Sequence, residues 1–534
     1  MRGRIPVVCA FVAALVGGGG GAVRSAAPQS DAGLYWPADR SLPKFAAAEH
    51  FDVADISSLS DEQKTLFATL EGLVNRTKPR IFLLQGAPEG KTAWLDGFGV
   101  PQTAVDDPWQ LIARYRDEIK GIVVNDPAVP ASLNVATTLA GLDDGVVASP
   151  SLAQRLQSED QLAVLEDLRG RFKDDLDAQT WAVQNLWPRT SHRLIVGITT
   201  REAGGFRDYP VATRAMAIWL RAGVPAERAL WERMLRNMPP DSPYVGWFDR
   251  DQPSSEIPGV WFLTEHGMYD VAGNIFHNLT AFGGVPADAL SAPQAAPPPE
   301  PLRPKIYVTL TVSDGDNLQY MQHRMRVLWA DPARGSVPLN WTVNPIAVDC
   351  APPLLGYYRK TATADDYLIA GPSGAGYAMV STFPAVAYDK FAARTGEYFA
   401  ETGIAVSQVH NLLRGGAQPI PAAKAAALAV GARPLGVMTF VKDRPPGVSV
   451  LAGGLVVATQ VYAWSVADAE RKIAAAAASW DGRSPRFVAV YLDAWHMGPT
   501  DAAAIANSLG ASDEVVRADR FFQFARQANG LPPG

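Results

Sequence analysis

From residue 305 onward the chain alternates short apolar segments with longer amphipathic ones, and the first segment sets the pattern. Ile306, Val308, Leu310 and Val312 occupy one parity, and Tyr307, Thr309, Thr311 and Ser313 the other. A strand puts these two sets on opposite faces, so the aliphatic face is expected against helices and the polar face inside a barrel. Further strands are expected at 339–344, 367–370, 404–410, 435–441, 455–461 and 487–493, with a weaker one at 514–516. Helices fit 317–329, 383–402, 421–430, 467–480, 499–508 and 519–529. In the first of these, Leu318, Met321, Met325, Leu328 and Trp329 share a face. This rhythm approaches that of a (β/α)₈ barrel, which takes ~250 residues. Lys442–Gly454 is rich in proline and glycine and cannot supply a helix between the fifth and sixth strands. A distorted (β/α) TIM-barrel-like domain over 305–534 is the reading.

The N-terminal half is α/β as well. Arg80–Gln85, Gly121–Asn125 and Val146–Ala148 read as buried strands, with helical stretches near Trp109–Ile119, Pro130–Gly141 and Ser158–Phe172. They predict a small α/β domain over 31–185. A second α/β region, 186–286, holds Arg193–Ile198, a helical stretch at 208–221, Tyr244–Phe248 and Val260–Thr264. It is expected to pack on the barrel or to lend strands that close it. Residues 287–304 are proline-rich and read as a linker.

At 534 residues the chain is too long for one ordinary core. A net charge of −6 without a basic run argues against a nucleic-acid partner. Residues 1–27 read as a secretory signal: Arg2 and Arg4 precede an apolar run from Ile5 to Val16, then small residues. That run is too short to cross a bilayer and no later one reaches the ~18 residues a span needs, so the expectation is a secreted or periplasmic protein without a membrane span. Cleavage would leave Cys350 as the remaining cysteine and no internal disulfide.

Barrel enzymes place reacting groups at the carboxyl ends of strands. Asp314 and Asp316 follow the first strand and Asp493 ends the seventh, while Asn340, Thr342 and Asn344 share a polar face in the second. Asp316 fits a helix N-cap equally well, and Asp493 could instead pair with Arg517 or His496. Glu265 follows the apolar Val260–Leu263 and qualifies as a site carboxylate if that region packs at the mouth. The third strand runs into Gly371-Pro372-Ser373-Gly374-Ala375-Gly376-Tyr377, where glycines permit positive φ and close approach of a ligand. Ser373, Gly374, Gly376 and Tyr377 are therefore candidate substrate contacts, together with Asn317, Asp366, His410 and Asp519. Asp366 and Asp519 also have ordinary readings as helix or turn carboxylates. Among fourteen tryptophans, Trp341 and Trp495 lie at or near strand ends, where they could stack on a sugar.

Three other motifs fail. Gly86–Thr92 is one residue short of a phosphate loop, and Pro88 removes a needed N–H. Gly371-Pro372-Ser373-Gly374-Ala375 lacks the final glycine of a nucleophile elbow. The seven histidines include no His-x-x-x-His pair, and Asp314-Gly315-Asp316 lacks the rest of a calcium loop, so no metal or other cofactor is expected.

Gly374-Ala375-Gly376-Tyr377-Ala378-Met379-Val380 resembles the signature of the GxGYxYP family, secreted bacterial proteins regarded as glycoside hydrolases. Met379 and Val380 depart from its final Tyr and Pro. The likeness extends to Ser313–Asn317, Glu256–Gly259, Glu265–Gly267 and Tyr491–Trp495, and to most of 31–530. It implies a glycosidase acting on a glycan through two carboxyl groups, with Asp314 or Asp316 opposite Asp493 or Glu265 as the pair. The alternatives are a carbohydrate-binding protein without turnover, or a serine hydrolase using Ser373 with His410 or His496.

Overall fold

The computed structural model describes residues 33–533 except 202–203, 249–255, 274, 289, 291, 293, 295–299 and 316. The leader assigned to residues 1–27, Asp316 and part of the proline-rich segment lie outside the described residues.

Three parallel sheets precede the barrel. Phe51–Asp55 pairs with Ile81–Leu84 and Gln102–Val105, and Gly121–Val124 with Gly145–Ala148 and Val164–Asp167. A four-stranded sheet runs Tyr269–Ala272, Pro243–Gly246, Ile195–Gly197, Met216–Ile218. Local signals explain where the sequence reading departs from this. The helix expected at 158–172 ends earlier, as Pro150–Glu159 capped by Ser149, and Val164–Asp167 is a strand. The stretch 208–221 breaks at Arg214, whose φ of 52° ends the helix Asp208–Thr213 before the strand Met216–Ile218. Val260–Thr264 is not a strand: it belongs to the helix Glu256–Glu265. A short apolar run is compatible with either element when buried.

In the C-terminal half, seven parallel strands close into a barrel. They are β1 (Ile306–Ser313), β2 (Leu339–Val343), β3 (Asp366–Ala370), β4 (Val406–Val409), β5 (Gly436–Thr439), β6 (Val456–Ala463) and β7 (Arg486–Asp493). β7 pairs with β1 along all eight residues. On its other side β1 pairs with β2 only at Thr311 and Val312, and below that with a short β8 (Asp513–Val515). The barrel's own strands thus make the closure, without strands from 186–286. Between β5 and β6, where no helix could form, Gly447–Val450 folds back antiparallel on β6.

The interior is layered. At the amino ends of the strands, Phe521, Phe522 and Phe524 of the last helix (Ala518–Ala528) pack on Tyr307, Ile369, Met438, Ala458 and Phe487. Above them Asn340 donates from Nδ2 to Thr309 Oγ1 (2.8 Å) and to the Leu310 carbonyl (2.7 Å), and its Oδ1 accepts from the Ala518 N–H (2.7 Å). Higher still, Ser313 bonds Gln408 (2.6 Å), Thr342 bonds Ser313 (3.2 Å) and Gln408 bonds Gln460 (3.3 Å). The aliphatic parity of β1 faces the surrounding helices, as its alternation requires. Apolar floor, hydrogen-bonded polar middle and open mouth follow one another along the barrel axis.

Gly436 keeps the floor flat, because a Cβ there would lie 2.0 Å from Phe522 Cδ1. Gly436→Ala is therefore expected to cost about 1–3 kcal/mol through overpacking. Denaturant unfolding, with the slope unchanged, is the measurement.

Candidate active site

A cavity of about 490 Å³ opens at the carboxyl ends of the barrel strands. β1 supplies Ser313 and the following Asp314, and β7 supplies Tyr491. Trp495 comes from the turn after β7, His410 from the end of β4, and Pro372 and Tyr377 from the glycine-rich turn after β3. The roof comes from the preceding α/β region, which contributes Trp247 and Glu256.

Two carboxylates face this space. Asp314 accepts from Trp495 Nε1 (3.1 Å). Glu256 accepts from the Tyr377 hydroxyl (3.1 Å). It opens the helix Glu256–Glu265, where the helix dipole favours a negative charge. His410 belongs to the same wall, edge-on to Tyr377 (5.9 Å) and beside Phe440 (5.6 Å). Its ring nitrogens are closed off from solvent and have no hydrogen-bond partner among the described residues. Burial pushes its pKa down to about 4, so the ring is neutral at ordinary pH.

Asp493 stands behind the rim. One oxygen accepts from the Trp495 N–H (2.9 Å) and faces His496 Nδ1 (2.9 Å); the other accepts from the Tyr462 hydroxyl. Burial opposes its ionisation, but the Tyr462 and His496 bonds outweigh that and hold the carboxyl below its ordinary value. Its geometry is that of a group positioning Trp495 and Tyr462. Asn317 lines the cavity while capping the helix Leu318–Gln322, accepting from the Gln319 and Tyr320 N–H groups.

The glycine-rich turn serves a seam between two parts of the chain. The Tyr377 N–H donates to the Asp270 carbonyl (2.7 Å), and the Asp270 N–H to the Tyr377 carbonyl (2.9 Å). A Cβ on Gly376 would lie 2.4 Å from Tyr269 Cδ2 and 2.6 Å from the Asp270 carbonyl oxygen. Gly374, at φ +125°, would put a Cβ 2.7 Å from Thr395 Oγ1. Neither glycine lines the cavity, so close approach is made to protein and not to ligand. Ser373 is buried, donating to the Ala378 carbonyl (2.7 Å) and accepting from the His410 N–H (3.1 Å). Its hydroxyl is thus engaged by backbone, and among the described residues it has no hydrogen bond to an imidazole ring.

Four further candidates lie away from the mouth. Trp341 points outward into the core, its ring tilted against Trp329 (4.9 Å), and donates to Asp366 (2.9 Å). Asp366 begins β3 at the floor end, where it is paired with Arg334 (2.5 Å). Asp519 pairs with Arg517 (2.6 Å) in the first turn of the floor helix. Glu265 ends its helix, half-exposed and 3.6 Å from Arg228. The helix explains that miss, since its other end carries Glu256 to the cavity. Glu256, Trp247 and Leu412 are lining residues that reasoning from the strand ends overlooked. An acidic residue opening a Glu-Ile-Pro-Gly helix start was the available signal.

Among the described residues no group of three or more His, Cys, Asp or Glu is placed to hold a metal ion, and no helix is long and apolar enough to cross a membrane.

Four family profiles match in succession. Residues 50–117, 119–190 and 192–283 match the first, second and third domains of GxGYxYP_N. Residues 304–526 match the "GxGYxYP putative glycoside hydrolase C-terminal domain". No curated protein matches. A crystal structure described as "a putative hydrolase" from Bacteroides thetaiotaomicron VPI-5482 superposes with a TM-score of 0.80 at 21% identity, covering 93% of this chain and 99% of that one. At that identity the likeness establishes the fold alone.

The depressed pKa of His410 has a signed consequence. Between pH 6.5 and about 4 the unfolded chain takes up a proton that the folded ring refuses, so stability falls as pH drops through this window. His277, lowered to about 3, acts in the same direction, whereas Asp208, raised to about 6, acts oppositely. The comparison must therefore be made between wild type and His410→Gln. From pH 7 to pH 5 the variant is expected to lose about 1–2 kcal/mol less stability than wild type. Denaturant melts at the two pH values test this, and equal losses would refute it.

Proposed function

The chain belongs to the GxGYxYP family, and we propose that it hydrolyses a glycosidic bond between Asp314 and Glu256. The observation that carries this reading is the convergence of two carboxylates, from separate parts of the chain, on one aromatic-lined cavity. Glycoside hydrolysis asks one carboxyl group to protonate the leaving oxygen and another to act as base or nucleophile. Trp495 and Trp247 offer apolar faces for a sugar ring, Tyr377 and Trp495 hold the carboxylates, and Asn317 lines the same space. The floor and polar middle of the barrel close the space beneath, so water enters from the mouth. In this arrangement Asp493 positions Trp495 and does not touch substrate.

Asp314→Asn and Glu256→Gln each keep size while removing the ionisable group. On any glycan cleaved by wild type, each is expected to lower kcat by at least ~10²-fold with the thermal midpoint retained. Near-normal turnover in both would move the chemistry elsewhere. A glycan bound but never cleaved would favour a carbohydrate-binding protein, which the same aromatic lining would serve.

Export is part of the same reading, supported by the basic start and apolar run of residues 2–16. The mature chain is expected to begin between about residues 18 and 31. N-terminal sequencing of protein from periplasm or medium checks this, and an intact Met1 chain retained in the cytoplasm would overturn it.

A further inference from the structure

Beyond the cavity, the barrel rim carries aromatic surface that the two carboxylates do not need. Tyr462 lies on the inward parity of β6, paired across the sheet with Tyr491 of β7. Their rings stack at 5.0 Å and 20°. Trp464, just past the end of β6, stands edge-on to Tyr462 at 6.2 Å and 87°. Trp464 is 64% exposed and Trp495 54%. Aromatic side chains of this size usually bury most of their surface, and no packing in the fold requires Trp464 to stand in water. The run is nevertheless held in place. Asp493 accepts from the Tyr462 hydroxyl with one oxygen and from the Trp495 N–H with the other, so a single carboxylate sets both flanks. Lys472 Nζ also donates to the Tyr462 carbonyl (2.6 Å).

We propose that Tyr462 and Trp464 form an outer subsite, which stacks on sugar units of a glycan chain extending out of the cavity past Tyr491. The proposal rests on the glycan reading and adds to it: the substrate is an oligosaccharide or polysaccharide longer than the cavity holds. A pyranose ring presents a face of C–H groups, and a flat, exposed indole offers apolar area without a charged partner. Trp464 stands apart from the carboxylates, so it should affect capture of long chains and leave the bond-breaking step alone.

The experiment compares wild type, Trp464→Ala and Trp464→Phe on oligosaccharides of increasing length from whichever glycan wild type cleaves, and on the matching chromogenic monoglycoside. For Trp464→Ala, kcat/KM on the longest chain is expected to fall about 2- to 10-fold through KM. The monoglycoside should be unaffected, and Trp464→Phe should recover part of the loss. An exposed position predicts an unchanged thermal midpoint. If the glycan is bound but not cleaved, the same contrast in Kd across chain lengths supports the subsite. A loss that is absent, or equal at every length, overturns the subsite while leaving the hydrolase reading intact. Failure of wild type to cleave or bind any glycan overturns both.

Discussion

The cavity exists because two backbones meet at Tyr377 and Asp270. The exchanged N–H···O bonds, 2.7 and 2.9 Å long, fasten the turn after β3 to the edge strand of the preceding sheet. Ala272 and Asn317 form a second bridge, so the segment 269–272 touches the turns after both β3 and β1. Each bond contributes only ~1 kcal/mol net. Their importance lies in register: they fix which residues of the roof stand over which residues of the mouth. Gly376 is the condition for that meeting, since any side chain there would collide with Tyr269 and the Asp270 carbonyl. The apolar contacts behind the seam are continuous, with Tyr269, Val271 and Phe206 in one cluster with the outer faces of the barrel strands. The roof is therefore packed as part of the same body as the barrel.

Inside the barrel a different constraint operates. A lumen lined with polar side chains is costly unless each finds a partner. Asn340 meets this by bonding β1 on one side and the first N–H of the floor helix on the other. Ser313 and Gln408 meet it across the lumen. The helix Ala518–Ala528 seals the end that would otherwise admit water, with three phenylalanines inserted beneath the polar layer. The ionisable groups at the floor are paired, Asp366 with Arg334 and Asp519 with Arg517, and Asp314 stands at the end where the strands open.

The strand parities of β1 and β7 were legible because the side-chain period of a strand is two, and eight residues give four repeats of it. The same parity explains why Trp341 is not a platform: its neighbours Asn340 and Thr342 face the lumen, so the tryptophan must face out. Asp366 and Asp519 were misplaced for a topological reason. In a parallel barrel the start of a strand, and the helix after the last one, lie at the floor, opposite the mouth. The glycine-rich turn was visible but its purpose was not, because close approach of a ligand and close approach of another backbone ask for the same residue. Glu256 was the hardest to see. Its helix begins beside residues 249–255, and the apolar run after it imitates a buried strand as well as a buried helix. No local pattern says that this helix starts over a barrel assembled fifty residues later.

If the chemistry runs between Asp314 and Glu256 as proposed, their placement on barrel and roof has a chemical logic. Two carboxylates on adjacent strand ends of one barrel would share one environment and titrate against each other. A carboxylate at a helix N-terminus in the roof, held by a phenol, differs in its surroundings from one on a loop in the barrel rim, held by an indole. Different surroundings are what separate the acid from the base in a pair of otherwise similar groups. The difference is maintained only while the seam holds the roof in register. On the proposed reading Gly374 and Gly376, which do not line the cavity, bear on the chemistry through the position of Glu256.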